Sequence, residues 1–237
     1  MYAKCIKRVL DFCLSLIALI ILSPLLMLLT IAGAVIMKGN PFFTQLRPGK
    51  DEKIFRLIKF RSMTCEKDKD GKLLPDEKRL TGYGLFIRKT SLDELPELIN
   101  ILKGDMAIVG PRPLLVRDMV FMTPEQRKRH TVRGGMTGLA QINGRNHITW
   151  EDKLRYDVKY TKKITFLEDI KICLQTVGML FKQEGIAEEG MATAEDLGDY
   201  LLRTRKIDRK KYDRCQRMAN QMPAVLKMEE ICRNQGK

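Results

Sequence analysis

The residues best suited to chemistry in this 237-residue chain are an adjacent acid pair, Asp93 and Glu94, in the stretch SLDELPEL (Ser91–Leu98). Neighbours on a helix point about 100° apart, so the two carboxylates do not form an ordinary facing pair. A bland reading exists: Ser91-x-x-Glu94 has the spacing of a capping box, and acids favour a first helical turn. A second element is Gly110-Pro111-Arg112-Pro113, where two prolines stiffen the turn that aims Arg112. Arginine offers a forked set of donors to phosphate oxygens and lysine a point charge, so Arg112, Arg145, Arg88 and Lys59 are candidates to hold an anion.

The charge distribution points the same way. Residues 1–40 carry four basic and one acidic residue, residues 41–187 carry 28 and 19, and residues 188–237 carry 11 and 9. Most of the net +14 therefore lies in the middle, as in a body that handles phosphorylated substrates, anionic lipid heads or nucleic acid. No G-x-G-x-x-G follows a strand and no P-loop occurs. The six cysteines show no metal spacing and read as reduced, cytosolic thiols. His130 and His147 form no cluster and read as ordinary polar residues, which weakens a hydrolase of lipid diphosphates.

The elements that must position these residues start with Phe12–Met37, 26 uncharged residues, long enough for a bilayer core. Ser23-Pro24 near its middle removes a backbone donor and should kink the helix. Basic residues flank both ends, so the positive-inside rule gives no direction. Two readings stay open on residues alone: a kinked span, the commoner form, and a helix–break–helix that enters and leaves by one face, with the Ser23 hydroxyl helping to satisfy the freed carbonyls. Ile54–Phe60 alternates as a strand or interfacial segment, and Lys38–Phe60 mixes aromatic and basic residues as a headgroup-boundary segment does. Residues 64–80 read as a mobile loop, 92–102 as a helix stopped at Lys103-Gly104, and Ala107–Val109 as a strand. Leu114–Met122 reads as helical, with another helix from Thr123-Pro124-Glu125. Residues 134–147 are Gly-rich with polar amides; Trp150–Thr161 and Asp169–Phe181 read as helices. Thr193-x-x-Asp196 and Asp208 mark two further helix starts, the second helix stopped by Pro223. The basic run Arg203–Arg217 reads as a solvated face, with anionic lipid, a partner enzyme or a second copy as alternatives.

Several motifs in order then carry a resemblance. They are Gln45-x-Arg47-x-Gly49; Phe55…Lys59-Phe60-Arg61-Ser62-Met63; Arg88-x-x-Ser91-x-Asp93-Glu94-Leu95-Pro96; Lys103-Gly104-Asp105-Met106; Gly110-Pro111-Arg112-Pro113; Thr137-Gly138-Leu139-Ala140-Gln141-x-x-Gly144-Arg145; and Asp157-x-x-Tyr160. Over roughly residues 1–182 the chain resembles the bacterial sugar transferases, the monotopic polyprenyl-phosphate phosphoglycosyl transferases. The resemblance implies transfer of a phospho-sugar from a UDP-sugar to polyprenyl (undecaprenyl) phosphate with release of UMP. It implies Mg²⁺ as cofactor and Asp93 as metal ligand and as nucleophile, forming a covalent phospho-sugar intermediate, with Glu94 as its partner. It also implies substrate binding by Lys59, Arg61, Arg88, Arg112, Gln141 and Arg145. The Ser23-Pro24 break makes the membrane segment re-entrant in that reading, on the cytoplasmic face of the bacterial inner membrane.

The chemistry is physically coherent. Carboxylate against diphosphate is anion against anion, about 4 kcal/mol for unit charges 4 Å apart at an effective dielectric of 20. That is on the order of a thousandfold in rate, which a divalent cation or a helix N-terminus offsets. The expected fold is α+β and mostly helical: a re-entrant membrane helix at 1–38, an interfacial helical/β catalytic domain at 39–187 and a helical extension at 188–237. Membrane lipid, downstream glycosyltransferases and a second copy of the chain are the further expected partners. Nucleic acid is not, since no helix-turn-helix, RNP or zinc motif occurs. The competing reading is a membrane-anchored basic binding protein for nucleic acid or acidic lipid.

Overall fold

The computed structural model describes residues 2–144, 148–182 and 195–222. Among the described residues the chain is mostly helical with two small sheets. A π-helical turn, Tyr2–Ile6, leads into α1 (Lys7–Ile36). β1 (Phe42–Pro48) and β2 (Ile54–Phe60) form an antiparallel hairpin, followed by α2 (Asp76–Arg79) and α3 (Gly82–Lys89). The acid pair lies in a 3-10 turn, Leu92–Glu94, ahead of α4 (Glu97–Lys103). β3 (Met106–Val109) pairs in parallel with β4 (Gly134–Thr137). Between them lie a 3-10 segment, Val116–Phe121, and α5 (Pro124–Arg127), which Thr123 caps in a box with Gln126. α6 (Leu139–Ile142), α7 (Trp150–Lys162), α8 (Phe166–Lys182), α9 (Leu197–Arg203) and α10 (Arg209–Gln221) complete the order.

α1 lies along the body rather than away from it. Arg8 donates to Ile101 O at 2.6 Å and Leu102 O at 2.8 Å, taking carbonyls that the end of α4 leaves open. Asp11 accepts the Ile108 amide at 3.1 Å. Further along, Ala18, Leu19 and Leu22 pack on a core of Leu57, Leu98, Ile101 and Met106. Near the other end, Leu29 joins Phe60 and Ile87, and Tyr83 donates to Leu29 O at 3.0 Å. Contacts every three or four residues define one inward stripe. The opposite face leaves Ile17, Ile20, Ile21, Leu28, Ile31 and Val35 exposed. α8 carries an exposed apolar row of its own: Phe166, Leu167, Ile170, Leu174 and Val177.

The expected break at Ser23-Pro24 is not an interruption of secondary structure: α1 runs helically through Pro24. Proline cannot donate to Ile20 O, the carbonyl four residues back. The Ser23 hydroxyl donates to that same oxygen at 2.8 Å, so the lost bond is replaced locally.

Other expectations are corrected. The capping box does not form: Ser91 is left-handed (φ 56°) and its side chain makes no cap. The expected helix 92–102 divides into the 3-10 turn and α4, which stops at Gly104 (φ 92°) as anticipated. The aromatic hairpin divides: Phe60 is 2% exposed and stacks on Phe42 with ring centroids 5.4 Å apart, while Phe43 and Ile54 stay exposed. Residues 64–80 carry bridges at Met63–Leu80 and Lys67–Leu73 as well as α2. β4 was hidden in the Gly-rich stretch because glycine is a poor strand former. Here it is required, since a Cβ at Gly135 would fall 2.1 Å from Gly110 N. At the C-terminal side, Asp208 caps α10 by accepting from Lys211 N at 2.7 Å, as its position suggested. Thr193 and Pro223 lie outside the described residues.

Candidate active site

Three elements converge on the acid pair. β2 delivers Lys59, the 3-10 turn delivers Asp93 and Glu94, and the stiff turn after β3 delivers Arg112. Asn100 bolts α4, just behind the acids, to the strand: its Oδ1 accepts from Ile58 N at 3.1 Å and its Nδ2 donates to Arg56 O at 2.8 Å. α3 lies flat against Ser62, where a Cβ on Gly84 would sit 1.8 Å from Ser62 O. From that helix Arg88 Nε donates to Ser62 Oγ at 2.8 Å.

Within the cluster the two neighbouring acids differ. Glu94 is gripped: Lys59 Nζ lies 2.7 Å from its Oε1, and the Arg112 fork holds both carboxylate oxygens. Lys59 also reaches Glu97 Oε1 at 3.1 Å. Asp93, by contrast, makes no hydrogen bond or ion pair to any described residue. Its main chain occupies the turn that follows the left-handed Ser91, a conformation costing on the order of 1 kcal/mol for a non-glycine residue.

The electrostatics follow. Burial raises the Asp93 pKa above the ordinary aspartate value; the charges of Lys59, Arg112 and Arg88 oppose that shift and Glu94 reinforces it. Burial also disfavours the charged form of Glu94, but Arg112 and Lys59 outweigh it and hold Glu94 well below the usual carboxylate range. Glu97, sharing Lys59 with Glu94, is pushed up by burial. Glu94 in turn raises the Arg112 guanidinium pKa.

Arg112 is also held from behind. Arg129 Nη2 donates to the Arg112 carbonyl at 2.6 Å and to Asp157 Oδ2 at 2.8 Å, and this pair is almost wholly buried. Tyr160, three residues on, donates to Val109 O at 3.2 Å and to Asp169 Oδ1 at 2.8 Å. The Asp157-x-x-Tyr160 motif thus fastens α7 to both ends of the segment that leads from β3 to Arg112.

Of the sequence-predicted site residues, Lys59, Asp93, Glu94 and Arg112 come together, and Arg88 lies close enough to feel Asp93. Arg61 makes no side-chain bond to a described residue. Gln141 donates to Met136 O at 3.0 Å, a bond to β4 and not to the cluster. Arg145 and His147 lie outside the described residues. His130 is buried, with Nε2 3.3 Å from Arg129 Nη1 and Nδ1 3.4 Å from Glu52 Oε1. Glu97 and Asn100 were missed. Their signal was two polar residues on the inner face of an apolar helix, PELINIL.

Among the described residues no three His, Cys, Asp or Glu groups converge as a metal cage. Mg²⁺ is commonly held by one or two carboxylates plus substrate phosphates and water. Asp93 fits that role, since its oxygens are not engaged, whereas Glu94 is committed to cations.

A small mixed fold with an exposed apolar helix, and a carboxylate with no partner among the described residues beside fixed cations, suits a membrane-associated protein that handles an anionic group. Comparison with known proteins is more specific. Residues 2–183 match the bacterial sugar transferase family model, and the chain belongs to that family. It is 48% identical over 191 residues, 80% of this chain and 94% of the relative, to EpsL, an uncharacterized sugar transferase of Bacillus subtilis (strain 168). It is 36% identical to an undecaprenyl-phosphate galactose phosphotransferase of Salmonella typhimurium, covering 77% of this chain and 42% of that protein. It is 38% identical to a UDP-glucose:undecaprenyl-phosphate glucose-1-phosphate transferase of Escherichia coli (strain K12), covering 73% of this chain and 40% of the relative. The chain thus spans about two fifths of those two longer relatives.

Proposed function

We propose that this chain transfers a phospho-sugar from a UDP-sugar to polyprenyl phosphate, with Asp93 as the covalent nucleophile. The observation that carries this reading is the asymmetry of the acid pair: Glu94 is saturated with cations while Asp93 has no partner among the described residues. Two longer relatives, named for transfer to undecaprenyl phosphate, support the acceptor class.

In the first step an Asp93 carboxylate oxygen attacks the phosphorus that bears the sugar. The bond from that phosphorus to the bridging oxygen breaks, and UMP leaves. In the second step a phosphate oxygen of the polyprenyl phosphate attacks the same phosphorus and the Asp93 acyl-phosphate bond breaks, regenerating the carboxylate. Lys59 and Arg112 place positive charge beside the reacting centre, where it offsets the meeting of two anions. Glu94 acts as a positioning residue that fixes both cations; so held, it is a poor base. Arg88 and Arg61 are candidates for further phosphate contacts, and Arg145 and Gln141 keep the binding roles the motifs imply. Mg²⁺, held by Asp93 with the donor diphosphate, would supply charge neutralisation.

The acceptor is a lipid, so the site must sit at a membrane face. Support comes from α1, whose two halves bind the same body through Arg8 at one end and Leu29 at the other. A helix of 30 residues is about 45 Å long. If it crossed the bilayer upright, its packed body would have to enter the hydrocarbon too. Entry and exit by one face, the cytoplasmic face of the bacterial inner membrane, avoids this. Downstream glycosyltransferases and a second copy are the partners proposed in addition.

The test is Mg²⁺-dependent UMP release from a panel of UDP-sugars with undecaprenyl phosphate, with the labelled protein trapped after a donor-only incubation. Asp93→Asn is expected to lose both. Near wild-type UMP release by that variant would defeat the covalent role.

A further inference from the structure

The motif Gln45-x-Arg47-x-Gly49 has no part in the steps above, yet its geometry is specific. The hairpin register pairs Phe43 with Lys59, Gln45 with Leu57 and Arg47 with Phe55. Opposed residues in an antiparallel ladder, and alternate residues along a strand, share a face. Lys59, Gln45 and Arg47 therefore project from one face of the hairpin. Lys59 reaches Glu94, and Arg47, further along, reaches the turn that carries Arg112. Its Nη1 donates to Pro113 O at 3.3 Å and its Nη2 to Gln45 Oε1 at 2.6 Å.

Both acceptors are neutral. Lys59 has Glu94 and Glu97, and Arg112 has Glu94. Arg47 makes no ion pair with any described carboxylate, and its Nε is covered without a partner. Burial and the like charge of Arg112 push its pKa down to about 10, against weaker support from Asp118, Glu97 and Asp196. A shielded guanidinium without a counter-ion is costly, and structural ion pairs are seldom left that way. The Gln45 bond fixes the plane of the fork, and the long bond to Pro113 is the weaker of the two and the easier to exchange.

We infer that Arg47 and Arg112 together form a phosphate-binding subsite beside the acid pair, which takes one phosphoryl group of a substrate. This rests on the transferase reading and names a residue for it. The phosphoryl group has two possible sources, the donor diphosphate and the polyprenyl phosphate. The alternative, in which Arg47 only props the Pro111–Pro113 turn, makes different predictions.

The experiment is calorimetric binding of uridine, UMP and UDP to the purified full chain, with KM for polyprenyl phosphate, in wild type and Arg47→Gln. Loss of one charge-assisted fork is expected to weaken binding of the phosphate concerned by about tenfold or more. Weaker UDP binding with UMP unchanged assigns the subsite to the donor's distal phosphate. A raised KM for polyprenyl phosphate with UDP binding unchanged assigns it to the acceptor. No change in either, or an equal loss toward uridine, UMP and UDP, overturns the inference and leaves Arg47 a strut. Should Arg47→Gln not fold, Arg47→Lys asks the same question by keeping the charge and removing the fork: about a threefold selective loss is expected, and none overturns it. A wild-type chain that binds no UDP and releases no UMP would instead sink the transferase reading.

Discussion

Two polar clusters in this protein, one buried and one half-buried, are built to opposite rules. Around Asp169 both carboxylate oxygens are engaged: they receive Tyr2 Oη and Lys7 Nζ at 2.7 Å each, and Tyr160 Oη at 2.8 Å. That hub joins the start of α1 to α7 and α8, and α7 also carries Asp157, closed onto Arg129 in a buried ion pair. Around Asp93 the valences do not close. Among the described residues one carboxylate has no partner, one guanidinium nitrogen is orphaned, and a left-handed serine precedes the acid pair. Buried polar groups in a scaffold are almost always satisfied. Where they are not, the missing partner is a candidate substrate, and the closed cluster shows what the open one lacks.

The largest expected effect breaks the open cluster. Asp93→Asn should cut UMP release by about a thousandfold or more, since it removes the nucleophile. Its melting temperature should not fall, because the lost carboxylate holds nothing in place. In wild type the acid limb of UMP release should lie above the ordinary aspartate pKa. Burial raises the Asp93 value, and the reactive anion is lost as pH falls through it. A pH–rate profile in buffers of constant ionic strength checks this.

The next breaks the closed cluster. Asp157→Ala strands Arg129, whose side chain is 1% exposed, and should destabilise the fold by about 3–5 kcal/mol in denaturant titration. Activity per folded molecule should fall far less than in Asp93→Asn. A stable Asp157→Ala variant that cannot release UMP would erase the contrast between the clusters.

His130 gives a smaller effect that is set by pH. Burial and the adjacent Arg129 push its pKa down to about 4, opposed by Glu52, whose carboxylate lies 3.4 Å from Nδ1. A folded value below the unfolded one favours the neutral ring. The stabilisation is complete above about pH 6.5 and is lost as pH falls from there toward 4, on the order of 3 kcal/mol in all. His130→Gln should flatten that part of the stability–pH curve, measured by thermal unfolding between pH 4 and 7. The smallest effect concerns α1. Ser23→Ala orphans Ile20 O and should cost about 1 kcal/mol, read as a lower melting temperature in detergent.

Most of the helices were legible because their punctuation is local. Thr123, Asp208 and Gly104 mark ends through bonds that span a few residues, and the proline-braced turn around Arg112 is written in four consecutive letters. Ser91 shows the limit. Its spacing to Glu94 fits a cap, but Lys59 and Arg112, remote in sequence, bind Glu94 more strongly than a backbone amide would. The same competition hid β4, whose glycines are poor strand formers until Gly110 lies against them.

By itself the sequence determined the chemical inventory: an apolar N-terminal helix broken in donor pattern at Ser23-Pro24, a basic body, an adjacent acid pair and an arginine fixed by prolines. Each is set by residue type and short spacing. Which acid is bound and which has no partner among the described residues, that Arg47 meets no described carboxylate, and that α1 lies on the body were decided only by the tertiary structure. Charge pairing acts over a few ångströms in space, and residues 59, 94 and 112 come within that range only once the hairpin, α4 and the turn after β3 have packed together.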